Sequence, residues 1–91
     1  MDDRERERKK DLLTLVEALV DAQLRRAEVL SVVESSTDSE EAASRLAALL
    51  GLTDAHSAQA VLDMPIGRWT QRNRERLIEE RDSLRAALRE L

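Results

Sequence analysis

His56 is the only histidine in the chain, and Asp54 stands two residues before it. An imidazole near a carboxylate is raw material for proton transfer or for part of a metal ligand set. Either role needs convergent partners, and the chain has no second histidine and no cysteine. His56 is therefore expected to be an exposed residue on the first turn of a helix. Glu79 and Glu80 are adjacent, so a helix turns them to different sides and they form no carboxylate dyad. No Gly-rich phosphate loop, Ser-His-Asp set or zinc-ligand spacing is present. The lack of cysteine removes disulfides, thiol nucleophiles and thiolate sites. The expectation is a chain with no catalytic residue, no metal and no cofactor.

Arginine is the other residue type that invites chemistry. Arg68, Arg72, Arg74 and Arg76 form the densest basic cluster. Residues 66–91 carry seven basic and five acidic groups, whereas residues 12–65 carry three basic and nine acidic. With a net charge of −4, nonspecific binding of nucleic acid over the whole surface is disfavoured. Arg72, Arg74 and Arg76 fall on the first turns of the last expected helix, where positive charge opposes the helix dipole. That weakly suggests acids across an interface. A solvated, salt-bridged helix face is the plainer account.

The elements that must position these groups are helices. Hydrophobic residues make up 42% of 91 residues, yet Trp69 is the only aromatic. Ala, Glu, Lys, Leu and Arg supply 53 of the 91, a proportion typical of long helices and coiled coils. Two glycines and one proline leave little for hairpins. No apolar run approaches the ~20 residues of a membrane span, and Met1 leads into acidic and alternating charges instead of a signal-peptide core. A soluble, cytoplasmic, all-α domain is expected.

Four helices are expected. The first runs from near Asp2 to about Glu34, with Leu12, Val16, Leu19, Leu30 and Val33 on one stripe and Leu13, Val20, Leu24 and Ala27 on a second. The first stripe passes through Gln23 and Arg26, so its middle is polar. The combined face is wider than one partner helix covers. Residues 1–11 are charged and should fray, helped by pairs such as Glu5–Lys9. Thr37 with Glu40, or Asp38 with Glu41, makes a capping box for a short helix ending at Gly51. Thr53 and Asp54 cap a third helix, about Ala55 to Met64, which Pro65 stops. Thr70 caps the last, with Leu77, Leu84, Leu88 and Leu91 on its seam and Arg81 among them. Two long helices of matched length with two short ones between them suggest an antiparallel pair closed by a helical tip.

The run Ala58-Gln59-Ala60-Val61-Leu62-Asp63-Met64, followed by Ile66, Arg68, Trp69 and Thr70, resembles the pattern A-Q-A-I-L-D-M-x-L-x-R-L-T. That pattern belongs to the A subunit of the bacterial DNA gyrase and topoisomerase IV family. The upstream order agrees: a long helix ending near Val32-Val33, a Ser/Thr break, a Glu-Glu-Ala helix start and Gly51-Leu52. Downstream, Arg74 to Glu80 is similar to the family's charged ascending helix. The likeness spans residues 12–91 and implies the family's coiled-coil arm and terminal knob, the C-gate, as a single domain. Pro65 and Gly67 stand where the family has longer, polar residues, and Trp69 replaces a leucine.

The resemblance implies that two knobs meet across a two-fold axis. Val61, Leu62, Met64, Ile66 and Trp69 are then the expected dimer interface, and Arg68 is expected to pair with Asp63 as a structural ion pair. Trp69 has three readings: it fills the leucine site inside the monomer, it shares in the dimer contact or, least favoured, it stacks on a nucleic-acid base. The family cleaves DNA with a tyrosine beside a winged-helix domain, and this chain has no tyrosine. The expectation is a noncatalytic homodimerisation module, with a resident gyrase or topoisomerase IV A subunit as a candidate partner. The alternative is a DNA-associated accessory protein using the arginines between residues 68 and 89. A small helical enzyme of the chorismate mutase type ranks behind both, because it needs several inward cations around a dicarboxylate.

Overall fold

Asp2 begins the first element by accepting the Glu5 backbone N–H at 2.8 Å, which satisfies one of the orphan donors of a helix start. The computed structural model describes residues 2–90. It contains α1 (Asp3–Leu24), α2 (Arg26–Glu34), α3 (Ser39–Leu50), α4 (Ala55–Asp63), a 3₁₀ turn (Ile66–Arg68) and α5 (Gln71–Arg89), with no strand among the described residues. The all-α expectation holds. Leu91, the last expected seam residue, lies outside the described residues.

The long first helix is two helices, not one. Arg25 leaves helical geometry, with φ −115° and ψ 35°. Its N–H reaches both Asp21 O at 3.0 Å and Ala22 O at 3.2 Å. Its guanidinium grips Glu28, with Nη2–Oε2 at 2.7 Å, and Nη1 donates to Leu49 O at 2.9 Å. The second contact closes one of the free carbonyls near the end of α3. The break therefore comes from tertiary docking, which needs no glycine or proline.

The other boundaries follow local chemistry. Asp38 is the cap of α3: its Oδ1 accepts from Glu41 N at 2.8 Å, while Glu41 Oε2 accepts from Thr37 N at 3.0 Å. The Asp38–Glu41 alternative thus wins over Thr37–Glu40. Gly51 adopts φ 66°, the left-handed conformation that glycine takes at least cost. Leu52 N then reaches Ala47 O at 2.8 Å, the six-to-one bond of a Schellman end. Asp54 caps α4, with Oδ1 accepting from Ser57 N at 2.6 Å. Met64 turns to ψ 118° ahead of Pro65. Thr70 caps α5 through Asn73 N at 3.2 Å.

α1 and α5 are antiparallel. Glu17 pairs with Arg85, and Leu13 lies beside Leu88. At the opposite end Gln23 meets Arg68. α5 buries no residue fully; Leu77, Ile78, Leu84 and Leu88 are half-buried along it. α1 is covered on more than one side, as its wide apolar face requires. Its buried residues are Val16, Ala18, Val20, Ala22 and Gln23. Ala18 and Ala22 join Val29, Leu46 and Val61 in the core cluster. Alanine there lets α3 and α4 approach α1 closely. At the charged start of α1, Glu7 pairs with Lys10 at 3.7 Å, in place of the expected Glu5–Lys9 pair.

Candidate interaction surface

Gln23 organises the tip. It is 1% exposed, and its Nε2 donates to Arg68 O at 3.1 Å and to Met64 Sδ at 3.4 Å. Asn73 Nδ2 donates to the same Arg68 carbonyl at 2.6 Å. Trp69 Nε1 makes a long bond to Met64 O at 3.4 Å. Within the connector, Arg68 N reaches Pro65 O at 2.8 Å. The segment between α4 and α5 is thus fixed by polar contacts to α1, to α5 and to itself. It nevertheless carries Ile66 at 89% exposure, the most exposed large apolar side chain among the described residues.

Beside Ile66 lies an open groove of about 430 Å³. Leu30 and Val33 of α2 form one wall, Leu62 and Met64 the other, and Leu46 and Val61 the floor. Leu30 is 53% exposed and Val33 36%. Arg26 stands at the edge as the groove's one cation. An isoleucine, a leucine and a valine are thus exposed to water around one concavity.

The expected interface residues separate. Ile66 stands free, while Leu62 and Met64 are half-buried along the groove. Val61 is 2% exposed and belongs to the core, so it supports the groove from beneath and offers no surface to a partner. α4 turns that position toward α1 and α3. Trp69 is half-buried and packs against the core cluster, while also lining the groove. The Asp63–Arg68 pair is absent. Asp63 Oδ1 accepts instead from Gln59 Nε2 at 3.0 Å, the partner one helical turn back.

Leu30, Val33 and Gln23 were not anticipated here. The two α2 residues read as an inward stripe of one continuous helix, and the bend at Arg25 turns them to the groove. The signal that was available is the polar interruption at Gln23 and Arg26.

A second cleft lies between α1 and the start of α4, where Leu12 and Leu15 stand beside Asp11, Thr14, Asp54, His56 and Ser57. Asp54 spends its oxygens on Ser57, whose Oγ donates to Oδ2 at 3.1 Å. The Ser57 backbone N–H holds the Asp54 carboxyl below its usual range, with smaller help from the Ser57 hydroxyl and His56. His56 itself is exposed. Among the described residues no group of three or more His, Cys, Asp or Glu is placed to hold a metal ion. No described helix is long and apolar enough to cross a membrane.

These contacts define an all-helical domain with an antiparallel helix pair and a tip carrying an apolar groove. No protein-family model matches the chain, and no curated protein matches it.

Proposed function

We propose that the chain is a noncatalytic homodimerisation module of the arm-and-knob kind. α1 and α5 serve as a coiled-coil arm. α2, α3, α4 and the connector serve as the knob, and the groove receives the knob of a second copy. One observation carries the reading: Ile66 projects at 89% exposure directly beside a recess lined by Leu30, Val33 and Leu62. An isologous contact needs projection and recess on the same patch, and this patch has both. The likeness of Ala58–Met64, Ile66 and Arg68 to the gyrase A C-gate supports the same arrangement. It also motivates joining a resident gyrase or topoisomerase IV A subunit through the knob, which co-purification with that subunit tests.

Solution mass by light scattering is the direct test. The parent is expected at twice 10.3 kDa at high micromolar concentration. Leu30→Glu with Ile66→Glu is expected at the monomer mass with unchanged helical content, since both residues are largely exposed. A monomeric parent overturns the reading.

A DNA-facing role is the second reading. Arg68, Arg72 and Arg76 are exposed and enter no ion pair among the described residues. Arg72 and Arg76 stand one turn apart at the start of α5, and Arg68 precedes them in the 3₁₀ turn. A gel-shift titration at low salt decides it, because phosphate contacts are strongest there; no shift at micromolar protein removes this reading.

A further inference from the structure

We infer that Asp63 and Arg68 form ion pairs between two copies of the chain instead of within one, and that these pairs set the register of the dimer. The inference rests on the proposed dimer reading and names the polar partners of its contact. Asp63 ends α4 and Arg68 ends the 3₁₀ turn. Both are exposed, they carry opposite charge, and only the connector Met64–Gly67 separates them. Asp63 Oδ2 has no hydrogen-bond partner, since only Oδ1 is taken by Gln59. The Arg68 guanidinium has no ion-pair partner either. Its backbone is held rigidly, the carbonyl accepting from both Gln23 and Asn73. The anchor of the side chain is thus fixed, and the guanidinium itself is ordered only on contact.

Symmetry supplies the pairing. Ile66 is the outermost apolar group of the tip, so it belongs at the centre of the contact. A two-fold axis beside it and perpendicular to the connector runs two copies of segment 63–68 antiparallel, with Asp63 and Arg68 three and two positions to either side of Ile66. In an isologous contact, if one residue meets a second across the axis, the second meets the first. Asp63 then faces Arg68 of the partner subunit, and Arg68 faces Asp63 of the partner subunit. The two pairs flank an apolar centre, as a polar rim flanks an interface core. A parallel arrangement of the same segments would set Asp63 against its own copy and Arg68 against its own copy. That repulsion disfavours the wrong register.

The test is a charge exchange. Asp63→Arg and Arg68→Asp are made singly and together, and dimer dissociation is followed by analytical ultracentrifugation. Each single variant is expected to weaken the dimer at least about tenfold, because every rim pair becomes a like-charge pair. The double variant is expected to regain most of the parent's affinity. Mixing the two single variants is the decisive arm: one copy then presents only arginines and the other only aspartates. Native mass spectrometry of the mixture should show heterodimer well above the statistical share. Both positions are exposed, and an arginine at the end of α4 suits the helix dipole, so helical content by circular dichroism is expected to stay unchanged. A dimeric parent whose single variants mix statistically overturns the pairing and leaves the dimer reading standing. A monomeric parent overturns the dimer reading itself.

Discussion

Leu46 and Ile66 lie on the same groove, one at its floor and one on its lip, and their surroundings are opposite. Leu46 is 0% exposed and sits in the core cluster with Ala18, Ala22 and Val61. Ile66 is 89% exposed on a connector pinned from several sides. The stalk and the tip divide less sharply. Where α1 faces α5, Leu13, Leu84 and Leu88 are half-buried and Arg85 pairs with Glu17. Yet Leu12 and Leu24 of α1 stay 41% and 60% exposed, and Arg72 and Arg76 of α5 have no ion-pair partner among the described residues. At the tip Arg25 and Arg45 pair with Glu28 and Glu41, while Arg26 and Arg68 have no such partner among the described residues. What sets the tip apart is that its exposed Leu30, Val33 and Ile66 gather round one concavity.

Breaking the floor is expected to have the largest effect. Leu46→Ala removes a fully buried side chain and should cost about 2–5 kcal/mol, read as a fall in urea midpoint. If the groove opened freely to water at that point, the loss would be under about 1 kcal/mol. The loss of dimer in Leu30→Glu with Ile66→Glu is the matching test of the lip, with stability of the monomer little changed.

Gln23 sharpens the contrast between core and connector. Gln23→Leu keeps the volume but removes the donor to Arg68 O. The Arg68 carbonyl keeps the Asn73 donor, so the loss should be about 1 kcal/mol, the net worth of one hydrogen bond. Proteolysis within residues 64–69 should rise as the connector loosens. Unchanged cleavage would mean that Asn73 alone holds the segment.

The smallest effect concerns the cap of α4. The Asp54 carboxyl is held below its usual 3.8 chiefly by the Ser57 backbone N–H. Its folded value is lowered, so its stabilising contribution is full above the unfolded value and fades as pH falls through the folded one. Melts recorded across the acid range should therefore drop more steeply for the parent than for Asp54→Asn. Parallel curves would show that the cap does not contribute through ionisation.

Much of this plan is written in local chemistry. Gly51, Asp54, Pro65 and Thr70 mark boundaries because each acts on its own backbone within a few residues. The capping box at α3 was legible as two neighbouring choices, and Asp38 prevails. The division at Arg25 was not legible, since the side chain that stabilises it reaches Leu49, 24 positions away. That one miss reassigned Leu30 and Val33 from an inward stripe to a groove wall. Helical periodicity sets Val61 and Leu62 together on the inward side of α4; the structure buries Val61 and leaves Leu62 half-buried on the rim. The absent Asp63–Arg68 pair has the same origin: spacing brought them near in sequence, and Gln59 was nearer in space.

The clamp made by Arg25 reaches beyond the junction it closes. A single residue lies between α1 and α2, and its guanidinium ties that joint to α3 through the Leu49 carbonyl. Val29 and Val32 then seat the wall carrying Leu30 and Val33 against the core. Where that wall stands thus depends on a side chain that does not itself line the groove.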